Sequence, residues 1–358
     1  MKVAIVNDSK MAAEILRRVV AQLPEFTLAW TAYSGEEAIE MCAQSRPDII
    51  LMDLVMPGID GAETTRRIMK STPCVILVVT ATTIGNRDMV FEAMGYGALD
   101  AVNTPVLGSG QDLDGAEPLI QKLRIVSRLV GVGNASGGTA EGRHQPSRLR
   151  DNFDVPVVAI GASTGGPQAL AEVLSHFPDP FPAVVLVVQH VDQQFTPSLA
   201  GWLQHCTRLP ISIAEPDARL SPGAIWVAGR RQNLVYDNGY ARYTSGPEDA
   251  VHTPSIDSLF YSLAKPHQAP RIGVLLTGMG RDGAAGLLAL RKSGALTIAQ
   301  DAATSVVYGM PKAAAELSAA TEILPLSSIG PRICEAIPQR IHSQSTGRRS
   351  SLAEDPKP

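Results

Sequence analysis

The sequence predicts two successive α/β units, each a mostly parallel sheet with helices on both faces, and three observations carry that expectation. Apolar runs of about five residues alternate with helical patterns from Lys2 to Val130. The alternation breaks off in a stretch of Gly, Ser, Asn, Thr, Arg and Pro and resumes at Val155. The 358 residues also exceed what one ordinary core holds. Strands separated by helices need right-handed crossovers, which lay the strands parallel and cover both faces of the sheet.

In the first unit, residues 1–130, Lys2–Val6 reads as a buried strand and Met11–Leu23 as the helix after it. Strands over Leu28–Ala32, Asp48–Leu54, Cys74–Thr80 and Ala101–Asn103 alternate with helices over Gly35–Gln44, Gly61–Lys70, Asn86–Met94 and Pro118–Val130. Residues 131–152 have the composition of a linker, and residues 343–358 that of a disordered tail. Between them, residues 153–342 carry strands at Val157–Ile160, Ala183–Val188, Ile211–Ala214, Ala224–Val227, Ile272–Leu276 and Leu296–Ala299. Helices are expected at Gln168–His176, Pro197–Cys206, Ile256–Ala264, Gly283–Ser293 and Pro311–Leu317. Asp237-Asn238-Gly239 at the centre of Asn233–Tyr243 reads as a β-hairpin inserted into the parallel plan.

Composition narrows the function. Hydrophobic residues at 45% and charged residues at 18% describe a globular chain with much to bury. A net charge of -4 with scattered Lys and Arg argues against a nucleic-acid partner. The N-terminus is a strand and no signal peptide, and no apolar run approaches the roughly 20 residues that span a bilayer, so no membrane insertion is expected and the cytoplasm is the expected location. Cys42, Cys74, Cys206 and Cys334 form no CxxC pair and read as reduced, mostly buried thiols.

In open parallel sheets, ligands gather beyond the C-terminal strand ends. In the first unit Asn7 and Asp8 follow strand one, Asp53 ends strand three and Thr80 closes strand four. Carboxylates at loop tips can hold Mg²⁺, and a carboxylate beside that cation can accept a phosphoryl group. Taken singly, Asp8 and Asp53 serve equally well as helix caps. The run Leu51-Met52-Asp53-Leu54-Val55-Met56-Pro57-Gly58-Ile59-Asp60-Gly61 is more specific and closely resembles the phosphorylation-site motif of bacterial response-regulator receivers. That resemblance, over residues 1 to about 130, implies a (βα)5 receiver domain with Asp53 as phosphoacceptor, Asp8 and Asp53 as Mg²⁺ ligands and Thr80 as the switch hydroxyl. Three positions depart from that family: Asn7 replaces an acidic metal ligand, Thr104 a lysine and Ala101 the switch aromatic.

In the second unit, Val157–Ile160 runs into Gly161-Ala162-Ser163-Thr164-Gly165-Gly166-Pro167, a glycine-rich turn between strand and helix. Such a turn exposes a nucleophilic serine beside backbone N–H groups that face an oxyanion, or cradles the phosphate of a nucleotide; the motif alone leaves both readings open. Two further strand ends favour acyl transfer: Gln189-His190, and Thr277 to Gly283, which contains Asp282. Ser163, His190 and Asp282 can converge as nucleophile, general base and orienting carboxylate, in a chain order unlike that of α/β-hydrolases.

These motifs, with His252–Asp257 and Ala299–Pro311, resemble the C-terminal domain of the chemotaxis protein-glutamate methylesterases, the CheB family. Receiver, linker and this doubly wound, mostly parallel domain make up that family's architecture. The resemblance implies hydrolysis of γ-glutamyl methyl esters on cytoplasmic helices of methyl-accepting chemoreceptors, with glutamine deamidation in many members. It further implies a chemotaxis-type histidine kinase as phosphodonor, Met279 in the oxyanion hole with Thr164 lining the site, and no cofactor for the esterase. Val6-Asn7-Asp8 and Asp100–Pro105 are similar to the sub-branch serving Wsp-type surface-sensing pathways. A receiver-coupled nucleotide-binding module using Gly161–Gly166 is the alternative, and a DNA-binding output lacks a helix-turn-helix signature.

Overall fold

The computed structural model describes residues 1–80, 87–107, 113–130, 155–245, 253–266 and 269–337. The stretches expected to be linker (131–152) and tail (343–358) lie outside the described residues, as does His252.

The N-terminal unit runs β1 (Lys2–Val6), α1 (Lys10–Ala21), β2 (Thr27–Ala32), α2 (Gly35–Gln44), β3 (Ile49–Met52), α3 (Gly61–Ser71), β4 (Val75–Thr80), α4 (Arg87–Gly95) and β5 (Asp100–Asn103). A short antiparallel pair follows, β6 (Val106–Leu107) and β7 (Leu113–Asp114), and then α5 (Ala116–Val130). The β6–β7 pair has no counterpart in the sequence expectation. The five longer strands form one parallel sheet in the order β2-β1-β3-β4-β5. Val3 to Val6 and Ile49 to Met52 are wholly buried, as expected of strands covered on both faces. Ser9, Ser34 and Asp60 cap α1, α2 and α3 by accepting backbone N–H bonds.

The C-terminal unit runs β8 (Val157–Ala162), α6 (Gly166–Ser175), β9 (Val184–Gln189), α7 (Thr196–Gln204), β10 (Ile211–Ala214), β11 (Ile225–Ala228), β12 (Asn233–Asp237) and β13 (Tyr240–Thr244). It continues through α8 (Ile256–Leu263), β14 (Arg271–Leu275), α9 (Ala284–Lys292), β15 (Leu296–Gln300), α10 (Met310–Glu316), β16 (Glu322–Leu324) and α11 (Leu326–Ala336). Seven of these strands make a fully parallel sheet, β10-β11-β9-β8-β14-β15-β16.

The hairpin is present but stands outside that sheet. β12 and β13 form a two-stranded sheet of their own, with a single antiparallel bridge from Tyr240 to Arg219, and seal against α8 through Leu234, Tyr236 and Ala241. Asn238 and Gly239 both hold positive φ, 48° and 88°, as the expected two-residue turn requires.

In each sheet the chain leaves one strand to opposite sides, and the crevice at that reversal is where side chains from neighbouring loops meet a ligand. In the first sheet it lies between β1 and β3, in the second between β8 and β14. The two units touch: α4 packs on α6 and α7, Phe91 stacks on Trp202 with centroids 6.2 Å apart, and the Gln168 side-chain amide donates to the Met94 carbonyl. One apolar core runs through this contact, including Phe91 and Met94 from α4 and Leu199 and Leu203 from α7. No described helix is long and apolar enough to cross a membrane. Cys42 and Cys74 are buried, Cys206 and Cys334 partly so, and all four are free thiols.

Candidate active site

Ser163 follows β8, His190 follows β9 and Asp282 follows β14, so the three strand ends flank one crevice. The strand register sets the first two side by side: Ala162 pairs with Gln189, and the His190 N–H donates to the Ala162 carbonyl at 2.9 Å. His190 Nε2 meets Asp282 Oδ2 at 2.9 Å, and both side chains are only 10% exposed. The Ser163 hydroxyl is not among the hydrogen-bond partners of His190. Such contacts commonly tighten only when substrate closes the site.

The turn carrying Ser163 is pinned by its own backbone. The Ser163 N–H donates to the Thr277 carbonyl at 3.0 Å, and its carbonyl accepts from Gly166 N–H and from Gln189 Nε2, each at 2.8 Å. Gly278 lies directly against it, since a Cβ there would sit 2.6 Å from Ser163 Cβ. The neighbouring Met279 N–H has no acceptor among the described residues. Gly165 holds φ at +75° to make the turn into α6. The other glycines of this loop do not line an open phosphate cradle. A Cβ on Gly161 would strike Ile256, and one on Gly166 would strike Gln189, so packed side chains occupy that space. This counts against the nucleotide-binding alternative.

Asp282 sits on the N-terminus of a different helix. Its carboxylate accepts from the N–H groups of Ile256 (2.7 Å) and Asp257 (3.1 Å), and from Ser255 Oγ (2.9 Å). Burial opposes its charge, but the His190 hydrogen bond and charge and these two N–H groups outweigh it and hold the carboxyl below its ordinary range. Asp257 behaves oppositely: burial, reinforced by the nearby Asp282 charge, pushes it up to about 6.

Four residues that build this arrangement, Gln189, Ser255, Thr277 and Gln300, have no role that the sequence predicts. Thr277 Oγ1 donates to the carbonyl of Thr164 at 3.0 Å, while its N–H donates to Gln300 Oε1 at 2.8 Å. All four lie in motifs that carried the family resemblance, and that was their only signal.

Thr164 also faces the other unit. Its hydroxyl donates to Asp100 Oδ2 at 3.3 Å, and Lys122 Nζ reaches the same oxygen at 2.5 Å. The residue beside Ser163 is thus bonded to the receiver-like unit.

In that unit Asp8 and Asp53 flank the β1/β3 crevice. Asp53 is half-buried, and burial together with the Asp8 charge pushes its carboxyl up to about 6 against the pull of Leu54 and Val55 N–H groups. Asn7 is 2% exposed, and its side-chain oxygen accepts the Ser9 N–H at 2.9 Å. The Thr80 hydroxyl is buried and meets no partner among the described residues. The Thr104 N–H donates to the Thr80 carbonyl at 3.1 Å, and Ala101 pairs with Val78 inside the sheet.

Comparison with known proteins agrees with both halves. A response regulator receiver domain model matches residues 3–109, and a CheB methylesterase model matches residues 158–333. A protein-glutamate methylesterase/protein-glutamine glutaminase of Bordetella avium is 48% identical over 93% of this chain and 96% of its own length. A protein of the same description, from a group 3 operon of Pseudomonas putida, is 47% identical over 94% and 99%. The crystal structure of the Thermotoga maritima CheB methylesterase catalytic domain is similar at 34% identity, covering 51% of this chain and 98% of that one with a TM-score of 0.48.

The class is therefore a receiver joined in one chain to an esterase domain. Within it, the chain belongs to the CheB family of protein-glutamate methylesterases.

Proposed function

We propose that this protein hydrolyses γ-glutamyl methyl esters on the cytoplasmic helices of methyl-accepting chemoreceptors, using Ser163, His190 and Asp282, and deamidates receptor glutamines at the same site. The observation that carries the reading is the His190–Asp282 hydrogen bond of 2.9 Å at the crevice that Ser163 shares. Ser163 Oγ attacks the ester carbonyl while His190 takes its proton. Because Nε2 is directed at Asp282, that exchange falls to Nδ1. Asp282 keeps the ring in this tautomer and stabilises the imidazolium. The oxyanion is met by the Met279 N–H beside Ser163, with Thr164 lining the site. Collapse expels methanol with the proton from His190, and water then releases the glutamate from the acyl-serine by the reverse relay. An amide passes through the same intermediate and loses ammonia.

The receiver supplies control. Asp53 is the proposed phosphoacceptor, a chemotaxis-type histidine kinase the donor, and Thr80 the hydroxyl that follows the phosphoryl group. Two carboxylates without the third acidic ligand still suit Mg²⁺, which keeps much of its water and takes phosphate oxygens. The raised Asp53 carboxyl beside Asp8 is chemistry that a cation relieves. Asp8 and Asp53 would hold the ion, and when bound it neutralises charge on the transferred phosphoryl group. The contact of α4 with α6 and α7, and the Asp100–Thr164 bond, support a receiver that restrains the esterase until phosphorylated.

Methanol release from methylated receptor membranes is the test. Wild-type protein should release it and Ser163→Ala should not; equal rates in the two would remove Ser163 from the mechanism.

A further inference from the structure

Asp282 lies on the loop between β14 and α9, and a loop alone holds a side chain less firmly than a strand does. Its carboxylate is gripped instead from α8. Oδ2, which meets His190, also accepts the Ile256 N–H at 2.7 Å. Oδ1 accepts the Asp257 N–H at 3.1 Å, its neighbour Gly283 at 3.0 Å, and the hydroxyl of Ser255 at 2.9 Å. Ser255 is the N-cap of α8 and accepts the Ser258 N–H at 3.3 Å. Its own N–H donates to Asn233 Oδ1 at 2.8 Å, a side chain of β12 that is 4% exposed. A serine hydroxyl has one proton and two lone pairs. Here the lone pair caps the helix and the proton goes to Asp282.

We infer that Ser255 is a positioning residue for the reaction: its hydroxyl fixes the plane of the Asp282 carboxylate, so that Oδ2 points at His190, and draws charge away from that oxygen. The inference rests on the triad proposed above. The hairpin takes a part in it, because Asn233 sets the backbone from which Ser255 reaches. A capping serine alone would need only an acceptor; the donated proton is the feature that a cap does not explain.

Removing the donor leaves a carboxylate that pulls harder on the imidazolium proton. Ser255→Ala should therefore lower kcat about tenfold with little change in KM. It should also move the acid limb of the kcat/KM profile up by roughly half a pH unit. Among the described residues, Asp257 and Tyr261 of α8 act on the Asp282 charge, while Arg281, next to Asp282 in the chain, is exposed and paired with Glu316. The profile is therefore repeated in an Asp257→Asn background, where the same upward movement is expected. Ser255→Thr keeps both the cap and the donor and should restore kcat and the limb. Activities are read well below each variant's thermal midpoint, so that loss of the cap does not masquerade as loss of positioning. A lowered midpoint with wild-type kcat and an unmoved acid limb would reduce Ser255 to a helix cap and overturn the inference. Failure of the triad itself is seen separately, as undiminished methanol release by Ser163→Ala.

Discussion

Gly278→Ala adds a single methyl group at the point where two strand-end turns press together. That methyl would lie 2.6 Å from Ser163 Cβ and 2.6 Å from Met310 Sδ. Comfortable carbon–carbon contact begins at about 3.5 Å, so close to 1 Å of separation must be found. Met310 ends in a flexible thioether and can give part of it. Ser163 has no such freedom. Its Cβ is attached to a backbone held by bonds of 3.0 Å to Thr277 and 2.8 Å from Gly166 and Gln189. A displacement of the nucleophile approaching 1 Å costs on the order of 100-fold in rate, or about 2.7 kcal/mol of barrier. Overpacking should cost a further 1–3 kcal/mol of stability, roughly, read as a thermal midpoint lower by several degrees. The assay pairs methanol release from methylated receptor membranes with the labelling rate of Ser163 by a serine-directed fluorophosphonate, each below the variant's midpoint. A folded Gly278→Ala protein labelled within about threefold of the wild-type rate would refute the argument that backbone bonds immobilise this turn.

Other perturbations separate the remaining parts. Asp53→Asn should leave basal esterase activity in place but abolish its response to a small phosphodonor; activation of that variant would remove Asp53 as the switch. Trp202→Ala removes the ring stacked on Phe91 at 6.2 Å and should raise activity in the absence of phosphodonor several-fold, with unchanged basal activity counting against restraint through this contact. Asp257 predicts a pH effect on stability. Its folded carboxyl is raised to about 6, so the unfolded chain releases that proton first and stability falls as pH rises from about 4 to about 6. Asp257→Asn keeps the acceptor for Gly286 N–H and should flatten this fall by up to about 3 kcal/mol in denaturant titrations across that window. An unchanged slope would show that Asp257 does not titrate there.

Much of the architecture was legible because buried parallel strands leave a simple trace. Val157 to Ile160 and Val184 to Val188 are continuous apolar runs since both faces of the sheet are covered. The strand bounds differ by a residue or two, as in β3, where Asp48 and Asp53 still donate backbone N–H bonds to the Lys2 and Val6 carbonyls but lie beyond the regular strand. The C-terminal pair β16 and α11 escaped notice for local reasons. β16 is three residues long, and Pro331 inside α11 interrupts the pattern by which a helix is recognised. The hairpin follows from its turn residues, whereas its separation from the main sheet does not, because side-by-side pairing depends on partners far along the chain.

Ser163, His190, Asp282 and Asp53 are expected from the sequence for a related reason: each lies in a motif that follows an apolar strand, directly after it or, for Asp282, in the loop beyond β14. Local sequence by itself determined the strands, their polar tips and the chemistry those tips offer. Tertiary structure alone decided that β8 and β14 are neighbours, that the Asp282 carboxylate rests on the start of α8, and that Thr164 meets Asp100 across the two units. The physical reason is range. Helix and strand patterns are set by neighbours a few residues apart, whereas strand order and carboxylate anchoring arise from burying surfaces that the chain brings together only when it is folded.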